Sequence, residues 1–238
     1  MMSFGYDPEI KALLESSVAT IPEVIARMEA IDAIVDGNVD GLKWFNWLYL
    51  AVTKAVAAQV ASPEDFIAVL DVQFANLYFN ALWGYLSGGR CPKCWSVFFD
   101  RRADDNLARL QFAIAGINAH INHDLPFAIG STCEAQGIEP ERDTPQYAAY
   151  TALNATLDAL IDPAKREMLV SLPGDHKLIV HDVEWEVTSW GVAAARELAW
   201  TNAGVYWKVR AVPGFIASFR NALDDLTATT GEVLLTAV

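Results

Sequence analysis

Basic residues are scarce in this chain: 17 lysines and arginines stand against 30 aspartates and glutamates, for a net charge of -13. A phosphate backbone or an anionic bilayer would be repelled, which argues against nucleic acid or an anionic membrane as partner. Cysteine is scarce too, and Cys91, Cys94 and Cys133 are too few for a disulfide framework. No apolar run approaches the ~20 residues of a membrane span, and the opening MMSFGYDPEIK has no basic segment followed by an apolar one. The expectation is a soluble, cytoplasmic protein. A phosphate-binding loop, a dinucleotide glycine fingerprint and a nucleophile elbow are all missing, which disfavours phosphoryl transfer, nicotinamide chemistry and serine hydrolysis. Charge as a whole is low, at 20% of residues against 53% hydrophobic. A chain of 238 residues with that balance can bury a sizeable core and is unlike a disordered one.

The apolar residues recur at helical spacing. Val24, Ile25, Met28, Ile31 and Ile34 follow Thr20 and Pro22, which predicts a capped helix to about Val35, ended by the turn Asp36–Gly41. From Leu42 to Val60 the residues Trp44, Phe45, Trp47, Leu48, Tyr49 and Val52 are too dense for a half-exposed helix, so this one is expected to be central. Ser62 as N-cap, with Pro63 at N1 and acids after it, predicts the start of a helix that runs to about Leu86 and stops at Gly88-Gly89. Cys91-Pro-Lys-Cys94 is a C-x-x-C pair, but a zinc site needs a second pair and a thioredoxin-like motif needs a preceding strand. It therefore reads as a loop leading into a short helix through Trp95 and Phe99. Further helices are expected from about 104 to 125, from Pro126 to Gln136 with a stop at Gly137, over Tyr147–Leu172 with an interruption near Asp162-Pro163, over Val192–Val209 and over Phe215–Thr227. The stretch LIVHDVEWEVTSW is expected to lead into a helix. Residues 1–20 read as a loose lead-in. With no linker and no repeat, the expectation is one all-α domain over 1–238, a bundle of about seven to nine helices around a buried central helix at about 104–125.

That central helix carries the unusual chemistry. Gln111–Pro126 reads QFAIAGINAHINHDLP: two histidines, two asparagines and an aspartate inside an otherwise apolar segment. On an α-helix Phe112, Gly116, His120, His123 and Phe127 fall close to one line, and Asp124 lies beside His120 at the i,i+4 spacing. Leu107, Leu110, Ile114, Ile117, Ile121 and Leu125 form a second apolar face. A helix with two apolar faces is buried, so its polar groups must be paired, liganded or used.

Three phrases in this order and spacing, FNWLYLAVT (Phe45–Thr53), LDVQFANLYF (Leu70–Phe79) and QFAIAGINAHINHDLP, resemble the domain-of-unknown-function family 5995, a family of helical proteins. A weaker likeness runs through Trp190–Trp200, so the resemblance covers most of the chain; NAHINHDLP is its specific part. It implies an all-helical fold and supplies no activity. Cys91 and Cys94 look peculiar to this chain, which weakens a metal role for them.

Three uses of the cluster compete. In the first, Asp124 holds and polarises His120, which acts as a general base or acid near neutral pH. His123, Asn118, Asn122, Asp71, Asn76, Tyr78, Tyr49 and Trp190 are then candidate substrate-binding residues, being the polar or aromatic residues set in the apolar phrases around it. In the second, His120 and Asp124 share a metal in a hydrolase, with a further ligand from His176, His181, Asp182 or Glu184. In the third, the cluster is only a polar network tying helices together, as in a ligand-binding or scaffold protein. The first is favoured: an enzyme working on a small, largely apolar, natural-product or lipid-like molecule by isomerisation, elimination or cyclisation, with no cofactor and no metal.

Overall fold

The computed structural model describes residues 3–169 and 189–237, and every regular element among them is helical. In chain order they are α1 (Asp7–Leu13), α2 (Ile21–Ile34), α3 (Leu42–Ala57), α4 (Phe66–Leu86), α5 (Lys93–Asp100), α6 (Arg109–Asn118), a π-helical turn (Ala119–Asp124), α7 (Leu125–Gln136), α8 (Pro145–Leu169), α9 (Ser189–Val209) and α10 (Pro213–Leu234). The segments α6, π turn and α7 follow one another without a break and form the rod on which the rest is assembled. Helices α3, α4, α5, α8, α9 and α10 all touch it.

Local chemistry explains most boundaries. Thr20 caps α2, its hydroxyl accepting from the Glu23 N–H while the Glu23 carboxylate accepts from the Thr20 N–H, with Pro22 in the first turn. Gly137 ends α7 in the left-handed region at φ 67°, where a residue without Cβ is unstrained. Three expected boundaries move. Ser62 does not cap a helix: Asp65 accepts from the N–H groups of Ala61 and Ser62, forming a turn, and α4 starts only at Phe66. The central rod starts at Arg109 rather than at 104, because the Asp104 carboxylate accepts from the Asn106 N–H and holds a turn there. The last helix runs on to Leu234, seven residues beyond Thr227, with Thr229 and Thr230 hydroxyls returned to the carbonyls one turn back. Helix α8 continues through Pro163. Residues 170–188, which hold most of the stretch LIVHDVEWEVTSW, lie outside the described residues.

The N-terminal lead-in is also corrected, since residues 7–13 form a helix whose Ile10 is fully buried. Its anchor is Arg102, a fully buried guanidinium that ion-pairs with Asp7 at 3.0 Å and bonds both oxygens of Asp40, one at 2.9 Å. Two carboxylates brought from distant segments make that buried charge tolerable. Helix α4 is the one described helix long and apolar enough, by length and composition, to cross a membrane, although no such run was expected; half of that stretch is buried among its neighbours. Being apolar all round is what a helix enclosed by others requires.

Aromatic rings fill the core between α3, α4, α5 and the rod. Phe45 meets Tyr78, Trp95 and Phe98 edge-on at centroid distances of 5.0, 5.3 and 6.2 Å. Gly116 lets α3 approach the rod, because a Cβ there would lie 2.4 Å from the Phe45 ring. Alanine favours a helix over glycine by roughly 1 kcal/mol, but the displaced ring outweighs that gain. Gly116→Ala is expected to destabilise the fold by a net amount on the order of 1–3 kcal/mol, measured by urea unfolding. An unchanged or raised midpoint would mean that Phe45 has room to move.

Candidate functional site

The π turn spans the sequence AHINHD. Pro126 has no N–H to give, and its ring would collide with the carbonyl four residues back if the α-helix simply continued. Widening the preceding turn to i→i+5 bonding accommodates it without ending the rod. The widening also changes which side chains share a face. His120 and Asp124 stay adjacent, while His123 is carried further round the axis than on an α-helix.

Asp124, 2% exposed, is the hub. Its Oδ2 accepts from Trp95 Nε1 at 2.9 Å and faces His120 Nδ1 at 3.1 Å; its Oδ1 faces His123 Nδ1 at 2.7 Å. Burial pushes the carboxyl up, but hydrogen bonds from the two imidazoles and their charge outweigh this and hold it below the usual carboxylate range. Asp124 is therefore ionised, and both Nδ1 atoms donate to it. Burial pulls His120 below the ordinary histidine range despite Asp124, so its neutral form carries the proton on Nδ1 and a lone pair on Nε2. For His123 burial acts downward too, but Asp124 and Asp224 prevail and raise it.

His120 sits in an aromatic box. Phe74 stacks on it at 3.4 Å and 5°, Tyr49 meets it edge-on at 4.4 Å, and Phe45 lies at 5.6 Å. Its Nε2 is buried with no hydrogen-bond partner among the described residues, and so is the Tyr49 hydroxyl. Burial raises the Tyr49 phenol well above its usual range, with the Asp71 and Asp124 carboxylates adding to it and the nearby Thr53 hydroxyl, outside hydrogen-bond geometry, opposing them least, so it stays protonated. Both residues line a cavity of about 120 Å³ bordered otherwise by apolar side chains, Phe45, Phe74, Leu110, Ile114 and Met168 among them, and by Arg196.

Of the residues singled out in the sequence, His120 and Tyr49 line this cavity and Asp124 supports it from behind. His123, Asn118, Asn122, Tyr78 and Asn76 are not among its lining residues. Asn118 donates to the Thr227 carbonyl of α10 at 2.9 Å and accepts from Asn122 at 3.0 Å. Tyr78 donates to Asn46, which holds the Met28 carbonyl of α2. Asn76 pins the backbone of Val18 by both its N–H and its carbonyl. Asn118, Tyr78 and Asn76 bind helices and segments together, while Asn122 bonds Asn118 within the rod. Asp71 is buried and one carboxylate oxygen has no partner; burial raises it to about 7. It too is absent from the cavity wall. The side chain of Trp190, and all of His176, His181, Asp182 and Glu184, lie outside the described residues.

Sequence reasoning missed Phe74, Trp95 and Arg196. Phe74 stands three residues after Asp71 and four before Tyr78, a spacing that puts it on the same face of α4. Arg196 was hidden in a helix with no polar motif; it donates to Asn154 and to the Tyr150 carbonyl while stacking over the Tyr150 ring at 4.0 Å.

A family model described as a family of unknown function (DUF5995) matches residues 21–237. No curated protein matches the chain, and no solved structure does.

Proposed function

The chain belongs to the DUF5995 family, a family of unknown function, and we propose that it is an enzyme moving a proton within a small, largely apolar molecule, with His120 as base and Tyr49 as hydrogen-bond donor. One observation carries the reading: two buried polar atoms without hydrogen-bond partners among the described residues, His120 Nε2 and Tyr49 Oη, belong to rings 4.4 Å apart on the wall of one apolar cavity. An unsatisfied buried polar atom costs roughly 1–3 kcal/mol, and a ligand that bonds both would remove that cost. His120 is neutral at neutral pH and free at Nε2. The imidazolium formed when it takes a proton is stabilised through Nδ1–H by ionised Asp124. The Tyr49 phenol, held protonated, can donate to a substrate oxygen as charge develops on it. Isomerisation, elimination and cyclisation that move a proton next to a carbonyl can each use such a pair.

Two other readings compete. For a metal-dependent hydrolase built on His120 and Asp124, the two would have to aim donors at one ion, whereas Nδ1 and Oδ2 face each other at 3.1 Å. A non-catalytic ligand-binding protein draws support from the helix-tying bond of Asn118 to the Thr227 carbonyl.

The test is solvent-deuterium exchange into a panel of small cyclic ketones, followed by NMR, with ligand uptake checked by thermal shift. The wild type is expected to accelerate exchange, and folded His120→Ala to lose about 10²–10⁴-fold of that rate. The rate should fall as pH drops through the depressed His120 pKa, below the ordinary value of about 6.5, and level off above it. Ketones taken up without exchange, or a folded His120→Ala with full activity, would leave the binding-protein reading in possession.

A further inference from the structure

We propose that Cys94, His123 and Asp224 form a binding site for a zinc-like divalent cation, on the opposite side of Asp124 from the apolar cavity. The thiol of α5, the imidazole of the π turn and the carboxylate of α10 place one donor atom each within 4.8 Å of one another. Donors in a tetrahedral zinc site with bonds of about 2.0–2.3 Å stand roughly 3.3–3.8 Å apart, so side-chain adjustments of about an ångström close the set. Sulfur, nitrogen and oxygen together suit a borderline-soft ion and not magnesium or calcium, which take oxygen ligands. The sequence gives no second half-site for Cys94; the fold provides one from two other helices.

A second observation points the same way. His123 commits Nδ1–H to the Asp124 carboxylate at 2.7 Å, which leaves Nε2 as the nitrogen to offer. A carboxylate behind a histidine, fixing its tautomer and ring orientation, is the usual outer support of a metal-bound imidazole. Asp224 also accepts from the Lys93 N–H through Oδ2 and from the Cys94 N–H through Oδ1, both at 2.9 Å, and so caps α5. Each oxygen keeps a lone pair for an ion. Binding displaces the Cys94 thiol proton to solvent, together with the Nε2 proton of any His123 imidazolium, and the thiolate with the Asp224 carboxylate neutralises the dication. Cys91 is not one of the three donors. The fourth position is left to water, as in open zinc sites.

The site does not depend on His120 acting as a base. Its test uses the full chain stripped with a chelator and titrated with Co²⁺, with circular dichroism confirming the fold. One equivalent is expected to bind with a thiolate-to-cobalt charge-transfer band that Zn²⁺ abolishes on displacing the cobalt. Cys94→Ser should lose the band and at least about 100-fold of affinity, while Cys91→Ser and His120→Ala keep both. No band in the folded wild type, a band that survives Cys94→Ser, or one lost only in Cys91→Ser would overturn the proposal and leave Asp224 as a helix cap.

Discussion

Asp124→Ala is expected to destabilise the folded chain by about 3–5 kcal/mol, the range for removing one partner of a buried charged pair. Three buried donors, on Trp95, His120 and His123, would lose their acceptor at once. His120 and Trp95 cannot recover a partner from water, because His120 is 2% exposed and Trp95 is fully buried. Asp124→Asn should lose less, since the amide keeps the shape and one acceptor oxygen. The pH dependence has a definite sign. The folded pKa of Asp124 lies below its unfolded one, so its contribution is present above the unfolded value and is lost as pH falls through the folded value. Urea unfolding of the three proteins at neutral pH is the measurement. A loss under about 1 kcal/mol for Asp124→Ala would show that the hub is not a hub.

Asp71→Asn is expected to do the opposite and stabilise the protein above neutral pH. Burial raises the Asp71 carboxyl from 3.8 to about 7, and its Oδ2 has no hydrogen-bond partner among the described residues. The folded state therefore binds the proton more tightly than the unfolded chain. Its favourable contribution is complete below the unfolded pKa and is lost as pH rises through the folded value near 7. At about 1.4 kcal/mol per pKa unit, the full penalty above pH 7 is on the order of 4 kcal/mol. Asparagine mimics the neutral acid and escapes it. The stability curves of wild type and Asp71→Asn should coincide near pH 4 and diverge towards pH 8. Parallel curves over that range would mean that Asp71 finds a charge partner. A carboxyl that burdens the fold in this way, close enough to Tyr49 to raise its phenol, fits the trade of stability against function often found near working sites.

Much of the helical scaffold could be read from local order alone. Apolar spacing placed α2, α3 and α9, Pro22 with Thr20 or Ile21 before it marked a helix start, and QFAIAGINAHINHDLP identified both the family and the rod at the centre of the bundle. The i,i+4 pairing of His120 with Asp124 was legible too, because it survives the change from α to π geometry. Everything that depended on the hand of the turn or on distant segments was not. His123, Asn118 and Asn122 were expected at the cavity, but His123 faces Asp124 Oδ1 while His120 faces Oδ2, and Asn118 is turned to the Thr227 carbonyl of α10. Asp7, Asp40 and Arg102 stand far apart along the chain, and only folding buries them together. Cys94 looked like half a motif until α10 brought Asp224 to it. Periodicity is a property of neighbours along the chain, so sequence determined the helices and the polar cluster. Desolvation and the meeting of side chains from separate helices are properties of the packed whole, and they decided which atoms of that cluster are left without partners and which face one another.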